Sequence, residues 1–385
     1  MITVAGELPP PPPLRQFIIK LHGRCNLACD YCYVYAKTDQ RWKHRPPLMD
    51  HATVQAVADR IAEHARAHRL PDVSVVLHGG EPLLAGPRRV EDAVRTIRDT
   101  VGTRVDFSVQ TNGTLLTDRF LDLFDELDVL VGVSLDGDRA THDRHRRTHR
   151  GGSHDRVARG LAALTAPRYR HLFSGLLCVV DVAADPLTVW DALRESAPPT
   201  VDLLLPHATW TAPPAAPPGA HAAWLTAVFD RWFAEPPATH VRLFEEIIHV
   251  LLGGASALGS VGTTPLGMVV IETDGMIEQC GSLAVAFEGA ADLGLDVVHH
   301  DFDTVLRHPA VIESRRGAAG VPTPCRPCRW ATTCGGGHPS HRYRHGSGFD
   351  HRSVYCTDLD LLYSHIHRTL QTSLAAPPAA LDRTH

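Results

Sequence analysis

The chain has 385 residues, a formal net charge of −5 and 44% hydrophobic residues, which is enough for one large domain or two smaller ones with a substantial core. Its basic residues are scattered, which argues against nucleic acid or an anionic membrane as the main partner. No apolar run reaches the length of a bilayer span and no secretion signal is visible, so the nine cysteines indicate free or metal-binding thiols in the cytoplasm rather than disulfides.

The predicted elements follow a proline-rich lead, residues 1–14, which we expect to be disordered or extended. Six apolar runs then alternate with amphipathic segments, a pattern typical of a parallel sheet covered by helices. The predicted strands are Phe17–Leu21, Val73–Leu77, Arg104–Val109, Val129–Leu135, Leu172–Val180 and Val201–Leu205. The predicted helices are one capped by Asp50 and running to about Arg69, then Pro87–Thr100, Thr117–Glu126, Ser153–Leu164 and Pro186–Ser196. We therefore predict an α/β fold, a partial (β/α)6 barrel over residues 15–210, with its functional groups at the C-terminal ends of the strands.

The second half of the chain has a different composition. Residues 211–267 begin with a proline- and alanine-rich linker and continue with two predicted bridging helices, His221–Phe233 and Val241–Leu252. Residues 268–385 predict a small cysteine-rich domain. It would begin with a hairpin of Met268–Glu272 and Met276–Cys280 and end with an amphipathic helix.

The most informative motif is C-x3-C-x2-C, formed by Cys25, Cys29 and Cys32 directly after the first predicted strand. Thiolates are the usual ligands of a [4Fe–4S] cluster, and three of them leave one iron open to bind a small molecule. A zinc loop is the alternative, but C-x3-C is not the usual zinc spacing. With Tyr31 as its aromatic residue, the motif resembles the signature C-x3-C-x-aromatic-C of the radical S-adenosylmethionine (SAM) superfamily.

The second predicted strand ends in Gly79, Gly80 and Glu81, followed by proline, which resembles the Gly-Gly-Glu-Pro motif of that superfamily. The resemblance implies a backbone that approaches SAM closely and a Glu81 carboxylate that accepts from its amino group. It further implies a 5′-deoxyadenosyl radical, made by electron transfer from the cluster to SAM, that takes hydrogen from an unactivated carbon.

Polar motifs at the ends of the next two predicted strands match those that contact SAM in relatives. These motifs contribute Asn112, Ser134 and Asp136. For the SAM carboxylate we favour Arg156, with Arg144 and Arg147 as the alternatives.

A second group of thiols is formed by Cys325, Cys328, Cys334 and Cys356, called the four-cysteine site below. Four thiolates close a [4Fe–4S] cluster completely, which suits electron transfer or fold stabilisation, and a zinc knot is the alternative. The arrangement resembles a SPASM domain, which normally has seven cysteines and two auxiliary clusters. Here Cys280 occupies one further position and His338 stands where another cysteine is expected, so we predict one auxiliary cluster and a free Cys280 thiol.

Two stretches, Arg24–Met49 and Cys334–Leu359, resemble FxsB-type radical SAM/SPASM maturases. The resemblance implies a ribosomally made precursor peptide as substrate, an electron donor such as flavodoxin or ferredoxin, and a crosslink from a side-chain β-carbon to an aromatic ring, a three-residue cyclophane. The crosslink requires a proton acceptor, for which the candidates are Asp274, Glu272 and Asp296. Thioether formation, epimerisation or sulfatase-type Cys/Ser oxidation uses the same machinery, and a non-catalytic iron–sulfur or zinc scaffold is the alternative of another class.

Overall fold

The computed structural model describes residues 12–235, 238–256 and 258–375. The strands are β1 Gln16–His22, β2 Asp72–Gly79, β3 Arg104–Thr111, β4 Val129–Ser134, β5 Arg147–Thr148, β6 Gly151–Gly152, β7 Phe173–Val179, β8 Thr200–Leu204, β9 His240–Val241, β10 Met268–Ile271, β11 Met276–Glu278 and β12 Asp292–Asp296. The α-helices are α1 His51–Ala67, α2 Pro87–Val101, α3 Asp118–Glu126, α4 Arg139–His145, α5 His154–Leu164, α6 Pro186–Arg194, α7 Ala220–Ala234, α8 Arg242–Leu251, α9 Phe302–Arg307, α10 Pro309–Ser314, α11 Ala331–Cys334 and α12 Cys356–Ala375.

A ten-stranded sheet organises the chain, in the order β12-β11-β10-β1-β2-β3-β4-β7-β8-β9. All neighbours from β10 to β9 are parallel, while β11 and β12 are added as antiparallel strands at one edge. The C-terminal ends of the parallel strands therefore lie along one side of the sheet, where such folds carry their functional groups.

The predicted alternation of strands and helices is confirmed. The six predicted strands correspond to β1, β2, β3, β4, β7 and β8, with ends that differ by one or two residues. Asp50 caps α1 as expected, because its carboxylate accepts a hydrogen bond of 2.8 Å from the backbone N–H of Thr53. Apolar spacing located these elements because each buries one face: Val90, Val94 and Ile97 of α2 are fully buried.

The hairpin predicted at Met268 has a partner that periodicity did not indicate. Its first strand, β10, pairs in parallel with β1, from Gln16 opposite Met268 to Ile19 opposite Ile271. The sheet thus continues across the predicted domain boundary at residue 268. In addition, α4 and the short β5–β6 hairpin follow β4 and were not predicted.

The ends of the chain were predicted as a disordered lead and as part of the cysteine-rich domain. Residues 1–11 of the lead and residues 376–385 lie outside the described residues. Leu14, the last residue of the predicted lead, is 1% exposed, and its backbone N–H donates to His64 Nε2 at 3.1 Å, so the lead is ordered by this point. Among the described helices, none combines the length and apolarity that crossing a bilayer requires.

Candidate functional site

The predicted cluster-binding cysteines lie in a loop, residues 24–33, that leaves the C-terminal end of β1. The loop turns tightly, with the N–H of Cys32 donating to the carbonyl of Cys29 at 3.2 Å. Burial raises the pKa of Cys25 to about 11 and that of Cys29 to about 12. Charge on Cys32 adds to both shifts, and charge on Cys25 adds to that of Cys29. The three thiols are therefore near one another, and a metal must displace their protons on binding.

Gly79 and Gly80 let β2 press against this cysteine loop. The backbone N–H of Gly80 donates to the carbonyl of His22 at 2.9 Å, and that of Glu81 donates to the carbonyl of Arg24 at 2.9 Å. A Cβ on Gly80 would lie 1.8 Å from the Tyr35 hydroxyl and 2.5 Å from the Arg24 carbonyl, a contact that no alanine tolerates. The sequence predicted that the backbone at Gly79 and Gly80 approaches a ligand closely. In the described residues, this backbone approaches the cysteine loop.

Glu81 is fully buried and holds the end of β3. Its Oε1 accepts from the Thr111 hydroxyl at 2.7 Å and the Leu83 N–H at 3.1 Å, and its Oε2 accepts from the Asn112 N–H at 2.8 Å. Burial outweighs these bonds and raises the pKa of Glu81 to about 7. The Asn112 side chain in turn donates to Cys25 Sγ at 3.7 Å, so both predicted SAM-binding residues are next to the first cysteine.

Asp136, at the end of β4, joins the cysteine loop to a buried arginine that sequence reasoning missed. Its carboxylate accepts from the Tyr31 hydroxyl, from Arg146 Nε at 2.8 Å and from the Val179 N–H at 3.0 Å. Burial disfavours the Arg146 charge, but Asp136, Tyr31 and Cys29 together more than offset this and raise the pKa of Arg146 above its ordinary value. Ser134, the last residue of β4, is half-buried and accepts from Gln110 Nε2 at 3.1 Å.

The predicted arginine, Arg156, is not part of this buried group. It lies exposed on α5, because the apolar face of that helix turns Val157 and Leu161 inward instead. Of its alternatives, Arg144 pairs with Asp181 and Arg147 is exposed. The structure therefore places Arg146, and not Arg156, beside the cysteine loop. In the sequence, the only local feature that marks Arg146 is its position directly after α4.

A second buried polar group lies between β1 and the β10–β11 hairpin. Lys20 Nζ donates to Glu272 and lies 3.9 Å from Glu278 Oε2, while Arg45 Nη1 lies 2.7 Å from Glu272 Oε1 and 3.0 Å from Glu278 Oε1. These groups line a cavity of about 30 Å³, and Tyr33 lines it as well. Burial and the charge of Glu272 both raise the pKa of Glu278. The pKa of Glu272 is lowered, because the charges of Lys20 and Arg45 outweigh the effect of its burial.

Only one of the three predicted proton acceptors lies in this cavity. Glu272 is 4% exposed, whereas Asp274 is exposed in the hairpin turn and accepts from the Met276 N–H at 3.1 Å. Asp296 accepts from the N–H groups of Val298 and His299, both at 2.9 Å, at the outer end of β12. Asp274 and Asp296 act as turn caps, and Glu278 is a buried carboxylate that the sequence analysis did not select.

The four-cysteine site surrounds a separate cavity of about 540 Å³. All four thiols line it, and burial raises the pKa of Cys334 to about 12. Arg342 adjoins Cys325 and Cys334, and its Nε is buried without a hydrogen-bond partner. Four thiols around a cavity of this size, with the Arg342 cation near two of them, fit an anionic iron–sulfur cluster.

Residues 19–178 match the model of a family described as the Radical SAM superfamily. A cysteine-type anaerobic sulfatase-maturating enzyme from Clostridium perfringens is 26% identical over 340 residues, covering 85% of this chain and 89% of that protein. A serine-type anaerobic sulfatase-maturating enzyme from Bacteroides thetaiotaomicron is 23% identical over 362 residues, covering 86% and 84%.

A solved structure shows the same fold over nearly the whole chain. Native anSMEcpe with bound AdoMet and the Cp18Cys peptide superposes with a TM-score of 0.80 at 22% identity, covering 94% of this chain and 99% of that one. The predicted α/β fold with a parallel sheet is confirmed by this match and by the strand order.

Proposed function

Because residues 19–178 match the model of the radical SAM family, we propose that the protein is an enzyme that uses SAM to oxidise a side chain of a peptide or protein. The observation that carries the proposal is the meeting of Cys25, Glu81 and Asn112 at the ends of adjacent strands, where three thiols adjoin a rigid, buried polar surface. The similarity to sulfatase-maturating enzymes over most of both chains favours a Cys or Ser side chain as the target.

The similarity to this family supports SAM and a [4Fe–4S] cluster as cofactors, and the donor set fits them. Cys25, Cys29 and Cys32 would hold the cluster and leave one iron for SAM. When bound, cluster and SAM together supply a 5′-deoxyadenosyl radical that removes a hydrogen atom from a carbon of the substrate. Arg146 is the cation beside this loop, and Glu81 fixes the strand end from which Asn112 extends.

Two further groups would complete the oxidation. Removing one hydrogen atom leaves a substrate radical, which must lose one more electron and a proton to give a closed-shell product. We assign the electron to a cluster in the four-cysteine site and the proton to the Glu272–Glu278 pair. Of the two carboxylates, Glu278 is the better acceptor because its pKa is raised. A ferredoxin or flavodoxin would return the electron to the cluster held by the cysteine loop.

A second candidate reaction is the crosslink of a β-carbon to an aromatic ring. It is favoured by the resemblance of Arg24–Met49 and Cys334–Leu359 to FxsB-type maturases. Both reactions begin with removal of a hydrogen from a side-chain β-carbon, so the same site serves either. They differ in the product, because oxidation of serine gives an aldehyde, whereas the crosslink gives a ring closed through carbon.

Mass spectrometry of a treated peptide distinguishes the two. The reconstituted, reduced protein is incubated with SAM and with two peptides, one carrying a sulfatase-type Cys or Ser motif and one encoded beside the gene with an aromatic residue. Loss of two hydrogens with capture by a hydrazide supports serine oxidation. The same loss without capture, and with no backbone fragments inside the ring, supports the crosslink.

Two matched variants test the assignment of the cysteines. Replacing Cys25, Cys29 and Cys32 by alanine should abolish SAM cleavage, while Cys328→Ala should leave SAM cleavage measurable and remove peptide product. Replacing Cys178, a buried cysteine in β7 outside both sites, by alanine is the control and should retain both activities. SAM cleavage that survives the triple change would refute the assignment of these three cysteines, whereas no SAM cleavage by the unmodified protein would favour a scaffold protein.

A further inference from the structure

Three histidines meet where the barrel joins the C-terminal part of the chain. His207 follows β8, His338 precedes the 3-10 helix Pro339–Arg342, and His341 lies within that helix. One ring nitrogen of each lies within 4.8 Å of the others, and the ring centroids are 5.1 to 5.7 Å apart. We call these residues the histidine triad. It involves none of the seven cysteines assigned to clusters.

Ring nitrogens in the triad are available as ligands. His341 is 4% exposed, and its Nε2 is buried without a hydrogen-bond partner, an arrangement that costs about 1–3 kcal/mol and calls for an explanation. Nδ1 of His338 accepts from the backbone N–H of Ser340 at 3.2 Å, so a metal bound at this nitrogen would displace that hydrogen bond. Nδ1 of His207 lies 3.5 Å from the Ser340 hydroxyl, so two rings face the same point.

The three rings are uncharged at neutral pH. Burial lowers the pKa of His207 to about 4 and that of His338 to about 3, and it lowers the pKa of His341 well below its ordinary value. Neighbouring positive charge, from Lys37 at His207 and from Arg342 at the other two, adds to the effect. Neutral imidazole is the form that binds metal ions.

We propose that the histidine triad binds one divalent transition-metal ion, of the Zn²⁺ or Fe²⁺ type, through one nitrogen of each ring. Imidazole suits these metals, and three histidines leave a fourth position for water or another ligand. Ser282 supplies the outer hydrogen bond that such rings usually have, since its hydroxyl lies 3.3 Å from Nε2 of His338. The same hydroxyl lies 3.0 Å from Cys280 Sγ, which places that free thiol beside the site.

Another histidine group in the described residues shows by contrast what a satisfied cluster looks like. His64 and His68 lie 3.2 and 2.7 Å from one carboxylate oxygen of Asp303, and His64 Nε2 accepts from the Leu14 N–H. Hydrogen bonds account for this arrangement without a metal. Within the part of the chain that the structure describes, the histidine triad has no carboxylate among its ring contacts and keeps one nitrogen, His341 Nε2, without a partner.

Because of the position of the triad, a metal ion bound there would connect two parts of the chain. His207 belongs to the barrel, and its ring lies 5.5 Å from that of Tyr33 in the cysteine loop. His338 and His341 come from the segment that follows Cys334. A bound ion would therefore tie the four-cysteine part of the chain to the barrel at the end of β8.

Metal counting on the holoenzyme tests the site. The anaerobically reconstituted protein is equilibrated with Zn²⁺, freed of excess metal, and analysed for zinc, iron and sulfide. We expect one equivalent of zinc beyond the cluster metal, lost in His207→Gln and in His341→Gln and retained in the control His345→Gln, whose residue is exposed. Unchanged cluster iron in each variant shows that it is folded.

Anomalous diffraction from crystals of the unmodified holoenzyme tests the site without relying on a variant. A peak bounded by the three rings, about 2.0–2.1 Å from each nitrogen, supports the proposal. Absence of the extra equivalent, or its retention in both glutamine variants, would overturn it. So would extra iron that is accompanied by sulfide and lost in Cys280→Ser, because that result describes a second auxiliary cluster.

Discussion

Replacing Asp136 by asparagine tests the buried connection between the cysteine loop and the sheet. Asp136 is 1% exposed and accepts from Tyr31, Arg146 and Val179. Asparagine keeps the shape but removes the charge, so Arg146 would remain buried without its ion-pair partner. Breaking a buried pair in this way costs about 3–5 kcal/mol.

A surface pair on β3 provides the matched control. Asp106 pairs with Arg104 at 2.9 Å, with side chains 55% and 72% exposed. Water and salt screen such a pair, so Asp106→Asn should change the free energy of unfolding by less than about 1 kcal/mol. Anaerobic urea unfolding of the reconstituted protein measures both variants, and iron content shows whether the loop carrying Tyr31 still holds its cluster.

A double variant decides whether the ion pair is responsible. Combining Asp136→Asn with Arg146→Met removes both buried charges, so it should cost less than the sum of the single changes, with a coupling of roughly 1–3 kcal/mol. Additive costs, or an Asp136→Asn variant no less stable than Asp106→Asn, would refute the interpretation of this site.

Three other changes address the surrounding residues. Gly80→Ala puts a Cβ 1.8 Å from a tyrosine hydroxyl and should destabilise the protein by about 1–3 kcal/mol or more. Gly267→Ala, whose nearest contact is a backbone oxygen at 3.3 Å, should cost less, and equal thermal midpoints of the two variants would contradict this. Burial raises the pKa of Glu81 from 4.5 to about 7, so the folded state binds the proton more tightly and loses stability as pH rises through that range. Glu81→Gln should flatten that part of the stability curve, and an unchanged slope would exclude this carboxyl as its source. Arg156→Ala should leave the Kd for SAM within about twofold, while Arg146→Ala should raise it about tenfold, a loss of about 1.4 kcal/mol; isothermal titration reports both, and the reverse order would restore Arg156.

Sequence patterns predicted the elements of the sheet but not the order of its strands. The six runs are either largely apolar or, as in Arg104–Val109, alternate buried apolar with more exposed polar residues, and both patterns are typical of strands. Nothing local indicates that Met268–Ile271 pairs with β1 from a distance of more than 240 residues. Strand order depends on which edges meet in three dimensions, and periodicity carries no information about that.

The candidate site shows the same division. Cys25 and Glu81 were selected because motifs at strand ends identify themselves by spacing. Arg146 was missed because its burial depends on Asp136 and Tyr31, which come from two other segments, and in sequence it is one of several arginines in a polar loop. Glu278 and the histidine triad were missed for the same reason, since their partners are distant in the chain.

The place of β1 inside the sheet has a consequence for synthesis of the protein. This strand leaves the ribosome before the other described strands, yet one of its two neighbours, β10, is made only after residue 267. Until then one edge of β1 lacks its hydrogen-bonding partner and Lys20 lacks its acidic partners Glu272 and Glu278. A nascent chain arrested before residue 268 should therefore protect the backbone amides of β1 poorly against hydrogen exchange, and the cysteine loop would acquire its final surroundings only when the hairpin arrives.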